Sequence, residues 1–393
     1  MVFPLLTINK KGGNRMSYIL KQYDNHLAYF DIFYDIEGFR VENFKIVEAN
    51  KHLLPLNLKQ DNEGMAKWLK NRSIPKNREF VDKFLSKLGL NHNNTKGIID
   101  ICKGLSLNDS YWVVEDTFSK NFKECNLYEN RFNNILALIA FTGYGSSIKS
   151  AFMSSPELTT NGMLAKCWRR IDGSIYLYKA GTSGFANSGK EPYSEYYASQ
   201  IAKTMGINHI SYNLKKWKDK LCSTCEIFTD INHSYMPIGH LVEKGGMKAV
   251  MEYIKELGEE YYEALLDMIV YDAIILNTDR HYGNFGLIID NKTNKPISFA
   301  PLFDHGSSLF VYAMDNDEFT SIESLIEYAN TRSAIMYSDF VQTAKAYMTK
   351  NQIEKIKKLI NFKFKKHSKY NLNDKRLKLI EKFIQIRIQE LLS

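Results

Sequence analysis

The 393-residue sequence is short of several features that would assign a class at once. It lacks any run near the roughly 18 apolar residues that a membrane-crossing helix needs. The longest stretch, Ile135 to Phe141, reads as core. Cysteine is sparse and odd in number, 5 in all, which argues against a disulfide framework and for a reducing compartment. Cys222 and Cys225 form a CxxC, but a four-ligand zinc site wants a second pair and none is present. Two buried or idle thiols are expected there. Internal repeats and low-complexity tracts are also missing. Met1 to Asn14 places its apolar piece ahead of Lys10 and Lys11, the reverse of a signal peptide. The expected location is therefore cytoplasmic, with no membrane span.

What is present is an ordinary globular balance, 44% hydrophobic and 24% charged. The 24 Tyr and 23 Phe supply a sizeable core. The length exceeds what one core organises, so two or three structural units are expected. The net charge of +8 gives a modest attraction to polyanions of any kind.

The pattern predicts strands at Tyr18 to Leu20, His26 to Phe33 and Tyr111 to Val114. Residues 61–90 look helical with a break at Ile74-Pro75, after which Phe80, Val81, Phe84, Leu85 and Leu88 share a face. Ala165 to Arg170 and Ser174 to Lys179 read as a hairpin about the turn Asp172-Gly173. A Gly- and Ser-rich loop, Gly181 to Gly189, precedes a helix over 191–205 that Gly206 stops. Residues 250–276 read as one long helix. A second hairpin joins Leu287–Ile289 to Ile297–Phe299. Beyond about 330 the chain is helical and lysine-rich, with Ile353, Ile356, Leu359 and Ile360 as one stripe. Leu377, Ile380, Phe383, Ile384 and Leu391 mark a last helix.

Between these elements lies a pattern suited to phosphoryl transfer. That chemistry needs divalent cations on the phosphates, a cationic donor, and a carboxylate that orients the attacking hydroxyl. Mg²⁺ takes oxygen ligands, usually one or two carboxylates with water and phosphate. The polar loop Asn277-Thr278-Asp279-Arg280-His281-Tyr282-Gly283-Asn284 offers Asp279 for the hydroxyl and Asn284 for the metal. After the hairpin, Ala300-Pro301-Leu302-Phe303-Asp304-His305-Gly306 offers Asp304 as the main metal ligand. A lone Asp in a polar loop is usually a turn former, but the order and separation of both segments match the template. His281 is expected to make a hydrogen bond inside its loop. Arg280 either binds phosphate or braces the loop.

These segments, Asn277 to His281 with Asn284-Phe285-Gly286 and then Ala300 to Asp304, resemble the catalytic and metal-binding segments of HipA-like serine/threonine kinases. The resemblance runs over roughly residues 155–390. It implies that Asp279 is the catalytic aspartate and that Asn284 and Asp304 bind Mg²⁺. Lys179 looks like the nucleotide-binding strand lysine, with Glu195 as its partner and Glu191 as the rival candidate. Thr159 to Lys166 resembles the phosphate-binding loop, in which Gly162 and Lys166 would meet the phosphates. Family members autophosphorylate a serine there, where this chain has threonines. Cys225 to Phe228 looks like the strand that joins the two lobes, where the backbone of Glu226 and Phe228 would meet adenine. Ahead of the kinase region, Trp68 with Arg72-Ser73-Ile74-Pro75, and Gly104 to Asp109 with Tyr111-Trp112, resemble a piece found in bacterial HipA-like proteins.

The resemblance thus implies an α+β, bilobal protein-kinase-like fold of HipA type with an N-terminal α+β domain. The expected division is an extension over 1–150, a small lobe over 151–229 and a mostly helical large lobe over 230–393. The implied activity moves the γ-phosphoryl of ATP to a protein serine or threonine with Mg²⁺, in a protein with a toxin–antitoxin connection and an antitoxin-like regulatory partner. Two alternatives stand beside it: a lipid kinase of the phosphatidylinositol type, whose catalytic loop shares this order, and a non-catalytic nucleotide-binding module. Nucleic acid is expected to touch the basic C-terminal helices weakly or indirectly, since lysines there are more simply a solvated face.

Overall fold

The computed structural model describes residues 16–35, 38–147, 155–184 and 187–393. Met1 to Asn14, read above for an export signal, lies outside these residues, as do Phe185 and Ala186 of the glycine-rich loop.

Alternating apolar side chains fold the first segment into an antiparallel sheet of β1 (Met16–Gln22), β2 (Asn25–Asp35), β3 (Gly38–Ile46) and β4 (Tyr111–Glu115), in the order β3-β2-β1-β4. Its inner face, with Tyr18, Leu20, Phe30 and Val113, packs on Met65, Trp68 and Leu69 of α1 (Asn62–Asn71). Asp61 starts α1 by accepting a hydrogen bond from the Gly64 amide. Farther along come α2 (Val81–Ser86), α3 (Thr95–Cys102), α4 (Phe122–Cys125) and α5 (Asn134–Thr142). Phe84, Leu85, Ile98, Leu136 and Ile139 unite α2, α3 and α5. Phe80, expected on the face of that helix, instead takes a left-handed backbone (φ 63°) just before it and packs beside Phe141 and Trp217. Ile135, at the start of the run read as core, is exposed.

The second sheet holds β5 (Lys166–Ile171), β6 (Ser174–Ala180), β7 (Asn213–Trp217) and β8 (Lys220–Glu226), ordered β5-β6-β8-β7. Asp172 (φ 49°) and Gly173 (φ 88°) form the tight turn between β5 and β6. The resulting register sets Lys166 opposite Lys179. Against this sheet lies α6 (Glu191–Met205), closed by Gly206 at φ 78°, a left-handed position that glycine takes without strain. Cys222 and Cys225 sit an odd number of residues apart on β8, so they face opposite sides. Both thiols are free, and burial pushes Cys222 up to about 12.

The remainder is mostly helical. It carries a small sheet of β9 (His233–Pro237), β10 (Gly286–Asp290) and β11 (Lys295–Phe299), with β10 central. The helix expected over 250–276 is two helices, α7 (Gly246–Leu257) and α8 (Glu259–Ile275). Gly258 divides them at φ 138°, a conformation barred to residues with a Cβ. The second half of α8 is buried on every side and forms the centre of the largest core. Around it lie α9 (Ile322–Asn330), α10 (Phe340–Tyr347), α11 (Lys350–Lys357) and α12 (Asp374–Leu392). Leu377, Ile380, Phe383, Ile384 and Leu391 are buried along one face of α12, as their spacing predicts. Each such side chain contributes roughly 1.5–3 kcal/mol. Ile360 departs from the expected stripe: α11 ends before it, and it is 53% exposed.

Four lysines of the C-terminal segment pair with acids. Lys355 meets Asp267 at 2.6 Å, Lys357 meets Glu354 at 2.7 Å, Lys363 meets Glu381 at 2.9 Å and Lys366 meets Asp374 at 2.5 Å. No helix among the described residues is long and apolar enough to cross a membrane.

Candidate active site

The polar loop begins where α8 ends. Leu276 takes a left-handed backbone (φ 54°) and turns the chain out of the helix. Arg280 then folds back into the core, where both it and Asp272 of α8 are fully buried. Its Nε donates to Asp272 Oδ2 at 2.9 Å and its Nη2 to Oδ1 at 3.0 Å. Nη1 donates to the Asn284 carbonyl at 2.9 Å and to the Phe303 carbonyl at 2.7 Å. One guanidinium thus ties the loop to the segment just before Asp304. Of the two roles left open by the sequence, Arg280 is the brace. His281 makes the loop bond expected of it, its Nδ1 accepting from the Gly283 amide at 3.0 Å.

Within this frame Asn284 donates from Nδ2 to the Asp279 carbonyl at 3.1 Å. With its amide nitrogen so engaged, its side-chain oxygen is the group left for a cation. Asp304 has a left-handed backbone (φ 57°), and its amide donates to the Tyr212 hydroxyl at 3.1 Å. On the facing sheet, Lys179 points inward and is buried. Its Nζ pairs with Asp304 and lies 2.7 Å from Glu195 Oε1 of α6. Ser223 of β8 donates to the other Glu195 oxygen at 2.5 Å. The partner of Lys179 is therefore Glu195. The rival, Glu191, instead accepts from the Thr182 amide at 3.1 Å.

Electrostatics follow from this crowding. Burial disfavours the Lys179 ammonium, but Asp304 and Glu195 outweigh it and hold the lysine protonated above its usual range. Burial would likewise raise Asp304, yet the Lys179 and Lys166 ammoniums hold its carboxyl well below the usual carboxylate range. Glu195 is raised, first by burial and then by the Asp304 charge competing for the same lysine. Asp279 is raised by burial and by Asp304, with His281 and Lys179 opposing. Asp279 and Asp304, 25 residues apart in sequence, are thus close enough in space to feel each other's charge. His305, between Arg280 and the core, is held neutral, well below its usual range, by burial and then by Arg280.

The loop before β5 wraps the amine of Lys166. Lys166 Nζ donates to the Asn161 carbonyl at 2.9 Å. Gly162 (φ 95°) passes so close that a Cβ there would lie 2.1 Å from that nitrogen. Burial, then the charges of Arg78 and Lys179, push the Lys166 amine down to about 7. Thr159 donates to the Leu105 carbonyl at 2.7 Å, and Thr160 to the Pro156 carbonyl at 2.6 Å. Glu226 is exposed at the end of β8. Phe228 packs at 5.3 Å on Phe303, the residue before Asp304, and at 5.5 Å on Tyr235.

The structure therefore brings Lys179, Glu195 and Asp304 into contact, with Asp279 and Lys166 close enough to feel the Asp304 charge, Asn284 bonded to Asp279, and Phe228 packed on the neighbouring Phe303. Sequence reasoning missed Asp272, Ser223, Tyr212 and Arg78, which hold these side chains in place. The detectable signal was Asp272 inside the apolar run Met268 to Leu276 at the end of α8, where an ionised group needs a buried partner. Among the described residues, no cluster of three or more His, Cys, Asp or Glu forms a metal cage. A cation here would rest on the amide and carboxylate oxygens of Asn284 and Asp304, the ligand number that Mg²⁺ takes when phosphate supplies the rest.

Known proteins resemble this chain over part or nearly all of its length. A serine/threonine-protein kinase, CtkA of Helicobacter pylori strain J99, is 29% identical over 139 residues, 31% of this chain. The chain spans 42% of the length of that relative. The crystal structure of a Helicobacter pylori proinflammatory kinase CtkA aligns with 57% of this chain and 90% of its own, at 19% identity and a TM-score of 0.45. A chain of the Shewanella oneidensis MR-1 toxin–antitoxin complex of HipA, HipB and operator DNA aligns over 95% of this chain and 97% of its own, at 12% identity and a TM-score of 0.51. That near-complete alignment shows the α+β, bilobal kinase-like fold of HipA type with its N-terminal α+β part. Residues 158–366, just over half of the chain, match the HipA-like C-terminal domain, and this chain belongs to the HipA-like kinase family.

Proposed function

We propose that this chain is an ATP-dependent serine/threonine protein kinase, moving the γ-phosphoryl group of ATP to a protein hydroxyl. The observation that carries the reading is the buried Lys179 amine shared by Glu195 and Asp304, with Asp279 beside it. A structural core gains little from two carboxylates competing for one ammonium, because burying charge is costly. A phosphate-binding lysine, held in place by one acid and set next to a metal-binding acid, is what phosphoryl transfer uses.

In this reading Lys179 neutralises phosphate charge and Glu195 keeps its amine on station. Lys166 and the loop around Gly162 meet the phosphates, and backbone at Glu226 and Phe228 meets adenine. Asn284 and Asp304 would hold Mg²⁺, which supplies charge neutralisation across the phosphate oxygens. Asp279 accepts a hydrogen bond from the acceptor hydroxyl and orients its oxygen for in-line attack. The proposed division is an N-terminal extension over 1–150, a small lobe over 151–229 and a large lobe over 230–393.

The protein that carries the acceptor hydroxyl is the expected partner. The HipA relative was crystallised with HipB and operator DNA. By analogy, an antitoxin-like regulatory protein is proposed here, with DNA reached through it, since four lysines of the C-terminal segment, Lys355, Lys357, Lys363 and Lys366, already face acids. Five free thiols fit a reducing compartment such as the cytoplasm. Thermal unfolding with ATP and Mg²⁺ tests the binding half of the proposal. A ligand held at 100 times its Kd stabilises by about 2.7 kcal/mol. No shift with the wild-type chain, against a shift with a known kinase in parallel, would count against it.

A further inference from the structure

Arg72 to Glu79, a stretch without assigned chemistry, grips the very loop that the kinase reading gives to the phosphates. Arg78 is buried, and its Nη2 donates to the Lys166 carbonyl at 2.7 Å while Nη1 donates to the Thr160 carbonyl at 3.2 Å. The Glu79 amide donates to the Met163 carbonyl at 2.8 Å. The Glu79 carboxylate accepts from the Ala165 amide at 3.2 Å. The loop is thus held at its start, middle and end from a segment more than 80 residues earlier in the chain.

A second hold comes from Arg72 at the end of α1. Its guanidinium forks onto Asp109 at 2.7 and 2.9 Å and donates to the Gly104 carbonyl at 2.8 Å, fixing the turn between them. That turn presents carbonyls outward. Leu105 accepts from Thr159 of the same phosphate loop at 2.7 Å. Leu107 accepts from Thr229 at 2.5 Å, and Asn108 from the Tyr235 amide at 2.8 Å, on either side of the connection between the lobes. The loop itself has one glycine and lacks the glycine-rich pattern that shapes such loops unaided.

We propose that Arg78 and Glu79 are positioning residues for nucleotide binding, so that the N-terminal part of the chain completes the nucleotide pocket. The proposal rests on the nucleotide reading of the cleft. Its physical basis is preorganisation: a loop already fixed in its binding shape loses less freedom when phosphate arrives.

The test measures the Kd of Mg-ATP by calorimetry for the full chain, with melting temperatures recorded without nucleotide. Glu79 is half-buried, so Glu79→Ala is expected to keep its melting temperature. Losing one loop-fixing hydrogen bond should weaken Mg-ATP about fivefold. Glu79→Gln retains an acceptor for the Ala165 amide and should stay within about twofold of wild type. Arg78→Lys keeps the charge but loses the fork, and should weaken binding about tenfold. Should Arg78→Lys fail to fold, the Glu79 pair decides. Wild-type affinity in Glu79→Ala would overturn the positioning role while leaving the kinase reading intact. A wild-type chain that binds no Mg-ATP would overturn both. A lowered melting temperature with unchanged Kd would assign these residues to stability alone.

Discussion

Arg280 offers the sharpest separation of folding from function. Replacing it by Met keeps much of its volume but leaves Asp272 as a buried carboxylate facing only the Asn277 amide nitrogen, at 3.0 Å. Breaking one side of a buried pair costs about 3–5 kcal/mol. Arg280→Met alone should therefore fall steeply in urea titrations. Adding Asp272→Leu removes the stranded charge and should recover most of that loss, because well-packed apolar replacements of buried pairs are often neutral. The double variant still lacks the bonds from Nη1 to the Asn284 and Phe303 carbonyls. Hydrogen bonds to charged groups are worth about 1.5–3 kcal/mol each. Their loss frees the two segments that carry Asn284 and Asp304 to drift, and a 1 Å misplacement can cost about 10²-fold in rate. The double variant should thus fold well and transfer phosphate about 10²-fold more slowly. Wild-type transfer by a stable double variant would refute the idea that Arg280 sets the distance between the two segments.

Asp279 yields a pH signature. Burial raises its carboxyl, so it favours the fold while protonated and costs stability once pH rises through its folded value. Asp279→Asn should then be more stable than wild type at pH 7, with the gain shrinking toward pH 4; melting curves across that range check this. An equal gain at both ends would remove burial of the charge as the cause. Gly162→Ala places a Cβ 2.1 Å from the Lys166 amine in a left-handed backbone. It should cost about 1–2 kcal/mol in urea and weaken Mg-ATP further, while wild-type behaviour would show that the loop is not held in this shape.

Much of the fold was legible in the sequence where local chemistry sets the backbone. Asp172-Gly173 determines a hairpin register, and that register places Lys166 beside Lys179. The 277–284 and 300–306 segments stood out because the phosphoryl-transfer template asks for such side chains in that order. Local chemistry is less informative where a residue acts through distant backbone. Arg280 could not be assigned from its neighbours, since its role depends on Asp272 one helix earlier and on the Phe303 carbonyl. The choice between Glu191 and Glu195 likewise depended on helix phase: 195, one turn on, faces β8 and Ser223. Gly258 was overlooked because apolar spacing continues across it, although its backbone divides the helix. Arg78 and Glu79 left no recognisable trace, because they recognise carbonyls and amides that any sequence would present.

The central claim is that Asp279, Asn284 and Asp304 form one phosphoryl-transfer centre. It is tested most directly by following γ-labelled ATP into protein with wild type, Asp279→Ala and Asp304→Ala under Mg²⁺, each confirmed folded by its melting curve. Wild type is expected to incorporate label and each variant to lose about 10²-fold or more of it. Equal labelling by all three folded proteins would contradict it.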